Sequence, residues 1–453
     1  MRPLWISVMI VLSMPVTGAQ GNEGWFWHIT DFHWDFSYWD GQLSCNGQNV
    51  SNPGAFGDYW CDSPYSLVLE SVRKMADVRH DVDFILWTGD SVPHVPLLNL
   101  SQSRNQGIVH NLTDTIKSAF PSTSVYPTFG NHDYYKKDQF PPYGNDIYNM
   151  TLLLWQTWIN DSSQFENFRK GGYYTVKRNS IRIIAMNTNL YYTGDQLTIN
   201  VSDPADQFAW LDSTLEQAAQ RNETVIITGH VPPGFTTPRK VLWMRPQFNS
   251  RMNEIINRHA SVIVGMHFAH EHHDNFRLYY DSKGNPSVTL FIAPSITPWR
   301  YIIGAEIEPK HNPGARLVKY DRVSGRQLDI QQYYVDLPQA NKDGILTWKL
   351  GYTATTEYGI PDVTPASMEK LVEGMSRTNS QKFLKFVLWY NTNATEFLCD
   401  DACHKSVLCG IKNMDESAFH KCLQNATNYA RLITPRMILI VMTLSLYALN
   451  TVV

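Results

Sequence analysis

No run of about twenty consecutive apolar residues, the length a membrane-spanning helix needs, occurs anywhere in the 453-residue chain. Nor is there a block of lysine and arginine. The 38 basic and 42 acidic side chains are interspersed to a net charge of −4, which argues against a protein that coats nucleic-acid polymers. Internal repeats and low-complexity tracts are absent. With 43% hydrophobic and 18% charged residues, the chain is not disordered, collagen-like or coiled-coil, and it can bury a sizeable core. No cysteine lies between Cys61 and Cys399, so packing rather than cross-links must hold that region together. No Cys-x-x-Cys pairs with a second one, which excludes a zinc ribbon.

What the chain does contain points to export. After Arg2, the apolar run Leu4 to Leu12 leads to Thr17-Gly18-Ala19, which reads as a signal peptide over 1–19. At the other end, Met437 to Val453 carries no charge and follows a mostly polar spacer and the small residues Asn425-Ala426-Thr427. Small residues, spacer and short apolar tail form the pattern of a glycosylphosphatidylinositol (GPI) anchor signal. Residues 429–453 are then expected to be removed and Asn425 is taken as the attachment site, with a true membrane span as the alternative. The expected location is the outer leaflet of the plasma membrane at the cell surface, with a secreted form also allowed. Cys45, Cys61, Cys399, Cys403, Cys409 and Cys422 are an even set, expected to be disulfide-bonded, with Cys45–Cys61 and pairing among the last four favoured by proximity. Sequons at Asn49, Asn99, Asn111, Asn149, Asn160, Asn200, Asn222 and Asn393 fit a glycoprotein. The aromatic share of 13% reads as core and loop packing, or alternatively as a lipid or glycan surface.

Between residues 20 and 337 the chain alternates strand-like and helix-like segments. Phe26 to Thr30, Phe84 to Thr88, Val125 to Phe129, Ile181 to Met186, Val225 to Thr228 and Val262 to Val264 are β-rich runs that end in polar bursts. Leu67 to Val78 and Phe208 to Ala219 have helical spacing. This pattern predicts an α/β fold with functional residues on loops at the strands' C-terminal ends. From 338 to 428 the character changes, and Met368 to Met375 and Gln381 to Tyr390 predict a smaller helical, cysteine-containing module.

The strand-end residues are Asp31-Phe32-His33, Gly89-Asp90, Gly130-Asn131-His132-Asp133, Gly229-His230 and His270-Glu271-His272. Each piece alone is unremarkable: a lone His28 on an apolar strand is usually core, and Gly-Asp dipeptides are mostly turns. Five such pieces in order supply carboxylates, an amide oxygen and imidazoles, a donor set suited to zinc, iron or manganese. Two cations about 3.5–4 Å apart can clamp a phosphoryl group and acidify a water between them.

This string resembles the metallophosphoesterase (calcineurin-like) pattern. Its flanks, Trp27 to His33, Trp87 to His94, Phe129 to Tyr134, Asn187 to Tyr192 and Gly229 to Gly234, together with the terminal cysteines, resemble the acid sphingomyelinase-like phosphodiesterases over about residues 25 to 425. The uncharged tail is similar to that of the GPI-anchored branch. The resemblance implies a two-sheet sandwich flanked by helices and two zinc ions per chain. One ion would sit on Asp31, His33 and His272, the other on Asn131, His230 and His270, with Asp90 bridging. It implies in-line attack on phosphorus by a hydroxide shared between the ions, with His132 assisting the leaving oxygen and His94 stabilising charge. Ala269 replaces the expected glycine before His270, and Ala does not readily take the positive φ open to Gly. His267 is expected to pack and His273 to support the site. No saposin-like module precedes Trp25, which favours small phosphodiesters, nucleotides or lipid headgroups over efficient sphingomyelin hydrolysis. The alternatives are a phosphomonoesterase on the same scaffold and a surface protein that modulates membrane lipids or receptors without turnover.

Overall fold

The β-branched and aromatic runs form strands because their alternate residues find apolar partners on both faces of a sheet. The computed structural model describes residues 21–303, 306–394 and 398–424. The signal peptide, the anchor signal and Asn425 lie outside the described residues. In chain order the strands are β1 (Glu23–Ile29), β2 (Phe84–Trp87), β3 (Ser124–Pro127), β4 (Tyr174–Arg178), β5 (Ile181–Ala185), β6 (Thr224–Thr228), β7 (Phe235–Thr236) and β8 (Val241–Leu242). They continue as β9 (Ile263–Phe268), β10 (Asn275–Tyr280), β11 (Pro286–Ile292), β12 (Ile302–Ile303), β13 (Glu306–Ile307), β14 (Gly314–Asp321), β15 (Gln327–Tyr334) and β16 (Lys349–Thr353).

Two six-stranded sheets result, ordered β16-β15-β14-β1-β2-β3 and β10-β11-β9-β6-β5-β4. In the first, β1, β2 and β3 are parallel, with Phe26 opposite Phe84 and Leu86 opposite Tyr126. In the second, β5, β6, β9 and β11 are parallel. Phe26 of β1 meets the buried His267 of β9 edge-to-face at 5.2 Å between ring centroids, so the sheets pack on each other. At Gly265 the side chain of Gln327 from the first sheet packs against the second, and a Cβ there would fall 2.0 Å from its amide.

Helices cover the outer faces. Tyr65–Val78 buries Leu67, Val68, Val72 and Met75 along one stripe, as helical spacing requires. Gln102–Ala119 is capped by Ser101, whose hydroxyl accepts from Arg104 N. Gln207–Gln220 packs on β6 and on the helix Pro246–Arg258. Among the described residues, no helix is long and apolar enough to cross a membrane.

Residues on either side of 337/338, the expected boundary, pack together. β16 lies beyond it yet pairs antiparallel with β15 in the first sheet. The C-terminal helices Pro365–Gly374 and Asp401–Lys412 pack against β10 and β11 of the second sheet. Trp348, Tyr352, Phe386 and Trp389 belong to the same buried cluster as Phe26 and Leu86. The helical segment is therefore part of one core. Three disulfides join Cys45 to Cys61, Cys399 to Cys403 and Cys409 to Cys422. Among the sequons, Asn49, Asn149, Asn160, Asn200 and Asn222 are exposed. Asn99, Asn111 and Asn393 are half-buried, and Asn393 donates its amide to Tyr334 Oη at 3.0 Å.

Because the core crosses residue 338, a chain ending at 337 should not fold. Its circular dichroism should lack a cooperative thermal transition. In the full chain, Trp348→Ala should cost about 3–5 kcal/mol in chemical denaturation.

Candidate metal centre

The parallel strands of both sheets end at a common edge, and the site is built there. β1 delivers Asp31 and His33, β2 delivers Asp90, and β3 delivers Asn131 and His132. From the second sheet, β6 delivers His230 and β9 delivers His270 and His272. Backbone hydrogen bonds join these loops: Asp31 N to Gly89 O (3.0 Å), His33 N to Asp90 O (3.1 Å), Ala269 N to His230 O (3.0 Å) and Thr297 N to Asp31 O (2.9 Å). Glycine is required where the β2 and β3 loops cross: a Cβ on Gly89 would lie 2.1 Å from Gly130 N.

The backbone is strained at the donors. Asp31, His33, Asp90, His270 and His272 all have positive φ, between 41° and 71°, a conformation costing about 1–3 kcal/mol each outside glycine. Ala269 is not among the positive-φ residues. The left-handed turns of this loop fall on the two histidines, so the alanine at 269 costs nothing conformationally.

Metal-ligating atoms converge at this edge. His33 Nδ1 lies 2.7 Å from Val92 O, and His230 Nδ1 lies 2.7 Å from Thr88 O. A carbonyl only accepts, so each ring donates through Nδ1 and turns the Nε2 lone pair inward. Asn131 donates its amide to Asp138 at 2.7 Å, leaving Oδ1 to face His230 Nε2 at 3.0 Å. His270 Nδ1 lies 2.8 Å from the same oxygen. Asp90 Oδ1 accepts from His132 N at 2.9 Å. Its other oxygen stands between His33 Nε2 (3.4 Å) and His230 Nε2 (3.2 Å). Among the described residues, neither oxygen of the fully buried Asp31 has a hydrogen-bond partner, though Oδ1 lies 3.4 Å from His272 Nε2. Donor atoms of Asp31, His33 and Asp90 lie within 4.8 Å of one another, as do those of Asp90, His230 and His270, and those of His33, His94 and His272. Buried acceptors facing acceptors need a proton or a cation between them, and imidazole, carboxylate and amide oxygen suit a divalent cation.

Two histidines project beside this cluster. His94 and His132 have ring centroids 4.3 Å apart and lie 4.1 and 4.9 Å from His33. His132 is buried, and its Nδ1 has no hydrogen-bond partner. Both face a cleft of ≈ 580 Å³ with Tyr192 and Trp243 on the His270 side and Trp299 and Tyr301 on the His94 side.

Residues 24–274 match the family model of the calcineurin-like phosphoesterases. The chain belongs to that family. Residues 285–429 match the acid sphingomyelin phosphodiesterase C-terminal region, which places it among the acid sphingomyelinase-like members. It is 38% identical over 432 residues to human "Cyclic GMP-AMP phosphodiesterase SMPDL3A", covering 91% of this chain and 94% of that one. It is 37% identical over 448 residues to human "Acid sphingomyelinase-like phosphodiesterase 3b", covering 96% and 97%. "Sphingomyelinase phosphodiesterase C" of Dictyostelium discoideum is 32% identical over 434 residues, covering 92% and 95%. As a member of this family the chain is a hydrolase acting on phosphodiesters.

Side chains to which the sequence assigned no role also hold this phosphoesterase site together. Asp133 accepts from Asp90 N, Ser91 N and Gly130 N at 3.2, 2.7 and 2.8 Å, clamping the β2 loop to the β3 loop. Glu271 turns away from the centre and pairs with the buried Arg277, which also donates to Pro233 O. Arg277 thereby joins the His230 loop to the His270 loop. The only sequence signal for either was a charge inside an apolar or motif segment. His28 is buried and shares a 3.0 Å hydrogen bond with Thr88 Oγ1. His267 is buried against Gln327 at 2.8 Å. His273 lies behind the site, 2.7 Å from Glu308 and stacked on Tyr390.

Burial alone would lower the imidazoles of His33 and His230, but the surrounding carboxylates, Asp31 and Asp90 foremost, raise both to about 9 when no cation is bound. Below that pH each ring holds a proton that a cation must displace. The apparent affinity for each ion should therefore fall about tenfold per unit as pH drops below 9. Chelator competition between pH 6 and 9 measures this, and a flat profile would show that other groups carry the ions.

Proposed function

We propose that this chain is an extracellular, zinc-dependent phosphodiesterase that hydrolyses nucleotide or lipid-headgroup phosphodiesters, with at most weak activity on sphingomyelin. The observation that carries the reading is the convergence on His230 Nε2 of Asn131 Oδ1 at 3.0 Å and Asp90 Oδ2 at 3.2 Å, beside two substrate-facing histidines. Asp31, His33 and His272 would hold one ion, Asn131, His230 and His270 the other, and Asp90 both. When bound, such a pair of ions supplies Lewis-acid stabilisation of the phosphoryl oxygens and an acidified water.

The chain's own side chains supply the rest. His132 is anchored by its backbone at both ends: its N–H donates to Asp90, and its carbonyl accepts from Asn105 at 3.3 Å. Its unpartnered ring is then placed to give a proton to the leaving oxygen. His94 meets the phosphoryl group from the opposite aromatic wall. Tyr192 and Trp243 on one side, Trp299 and Tyr301 on the other, exclude water and offer flat faces to groups on either side of phosphorus. Two such faces support a substrate with a ring on each arm, and one relative bears the name of a cyclic GMP-AMP phosphodiesterase. Attachment to the outer leaflet through a GPI anchor at Asn425 completes the proposal and would bring the site to lipid headgroups of the same membrane.

Purified, tail-deleted protein supplied with zinc should hydrolyse bis(4-nitrophenyl) phosphate. His132→Ala should lower kcat by about 100-fold or more on a diester with a poor leaving group. Absence of turnover by the folded, zinc-loaded wild type would sink the enzymatic reading for general diesters.

A further inference from the structure

The loop from Asp35 to Asp62 carries none of the seven residues assigned to the ions, yet it reaches the site at one point. Asp62, fully buried, accepts from His94 N at 2.5 Å. Its two carboxylate oxygens lie 3.0 and 3.2 Å from His94 Nδ1. The hydroxyl of Thr297 donates to the same carboxylate at 3.2 Å. Trp299 stacks on the other side of the His94 ring, 3.8 Å between centroids and 7° from parallel.

Both supports trace back to the same few residues. Asp62 follows Cys61, which is bonded to Cys45. The intervening link is Ser44: its hydroxyl accepts from Asp62 N at 2.9 Å and donates to Asp35 at 2.7 Å, and its carbonyl accepts the Trp299 indole N–H at 2.9 Å. One disulfide-closed loop thus fixes the carboxylate at one ring nitrogen and the indole against the ring face. On His132, the other substrate-facing histidine, Nδ1 has no hydrogen-bond partner among the described residues.

We propose that Asp62 is a positioning residue for His94, and that the Cys45–Cys61 loop holds it there. This rests on the reading above that His94 faces the substrate. Burial raises Asp62 to about 7; above that pH its carboxylate only accepts hydrogen bonds, so Asp62 makes His94 Nδ1 the donor and leaves Nε2 as the atom turned to the cleft. Asparagine at 62 would present an N–H to Nδ1 and reverse the tautomer without changing the shape. Asp62 touches neither ion nor substrate; it acts through His94.

The test is a double-mutant cycle on the full zinc-loaded ectodomain with bis(4-nitrophenyl) phosphate, comparing wild type, Asp62→Asn, His94→Ala and the double variant. Zinc content and thermal midpoint are measured on each. Asp62→Asn should lower kcat about 10- to 100-fold with KM within about twofold and zinc content unchanged. The double variant should be no slower than His94→Ala. Should Asp62→Asn fail to fold, Thr297→Val removes the hydroxyl that donates to Asp62 and accepts from Trp299 N at 3.4 Å. It should lower kcat about threefold in the wild type and not at all with His94→Ala.

A kcat for Asp62→Asn within twofold of wild type overturns the proposal. So does an undiminished loss in the His94→Ala background, or a loss of zinc that accounts for the lost activity. If Thr297→Val is the variant used, no change in kcat overturns it too. An inactive wild type would count against the hydrolase reading itself, whereas an active wild type with an unaffected Asp62→Asn counts against Asp62 alone.

Discussion

The structure depends on holding together atoms that repel. Asn131 Oδ1 and Asp90 Oδ2 both crowd His230 Nε2, and Asp31 is buried with no hydrogen-bond partner among the described residues for either oxygen. Such a cluster forms only if the scaffold around it is stiff. Parallel strands of two sheets end at the same edge, Gly89 and Gly130 let two loops cross in near contact, and Asp133 clamps them. The two imidazoles that point inward are each fixed from behind by a backbone carbonyl. Without a cation, protons on His33 and His230 are the remaining way to relieve the repulsion.

The same demand explains where the backbone is strained. Positive φ at Asp31, His33, Asp90, His270 and His272 turns each side chain back over the strand end from which it came. A relaxed loop would carry these donors away from one another. The strain sits on residues whose side chains gain most from a shared ion, which is where the surrounding packing can hold it.

Much of this was legible in the sequence, and the reasons for the remainder are physical. The strand runs before each motif, the helix Gln381–Tyr390 and the family were readable because they rest on local pattern or on ordered motifs. The concern over Ala269 was misplaced because the positive φ falls one residue later, a detail that spacing does not encode. β16, beyond residue 338, left little trace in the sequence because it is short and only one of its residues is buried, so its period-two signal is weak. The roles of Asp62, Asp133 and Arg277 were not legible, for a common reason. Each acts through a partner far away in the chain, or through backbone N–H and C=O groups that no side-chain motif records.

The near contact of the sheets at Gly265 has a consequence of alignment rather than strength. The missing side chain admits the Gln327 amide between the sheets, where it donates to His267 Nε2 at 2.8 Å. Burial, then the Arg316 charge, pushes His267 down to about 3, so the ring stays neutral and accepts. Slide one sheet past the other by a residue and both polar groups lose each other in an apolar layer, at a cost of about 1–3 kcal/mol apiece. One glycine and one glutamine thus act as a registration mark between the halves of the sandwich. Hydrophobic packing alone would tolerate several offsets; this pair selects the one at which donors carried by different sheets arrive at a single point.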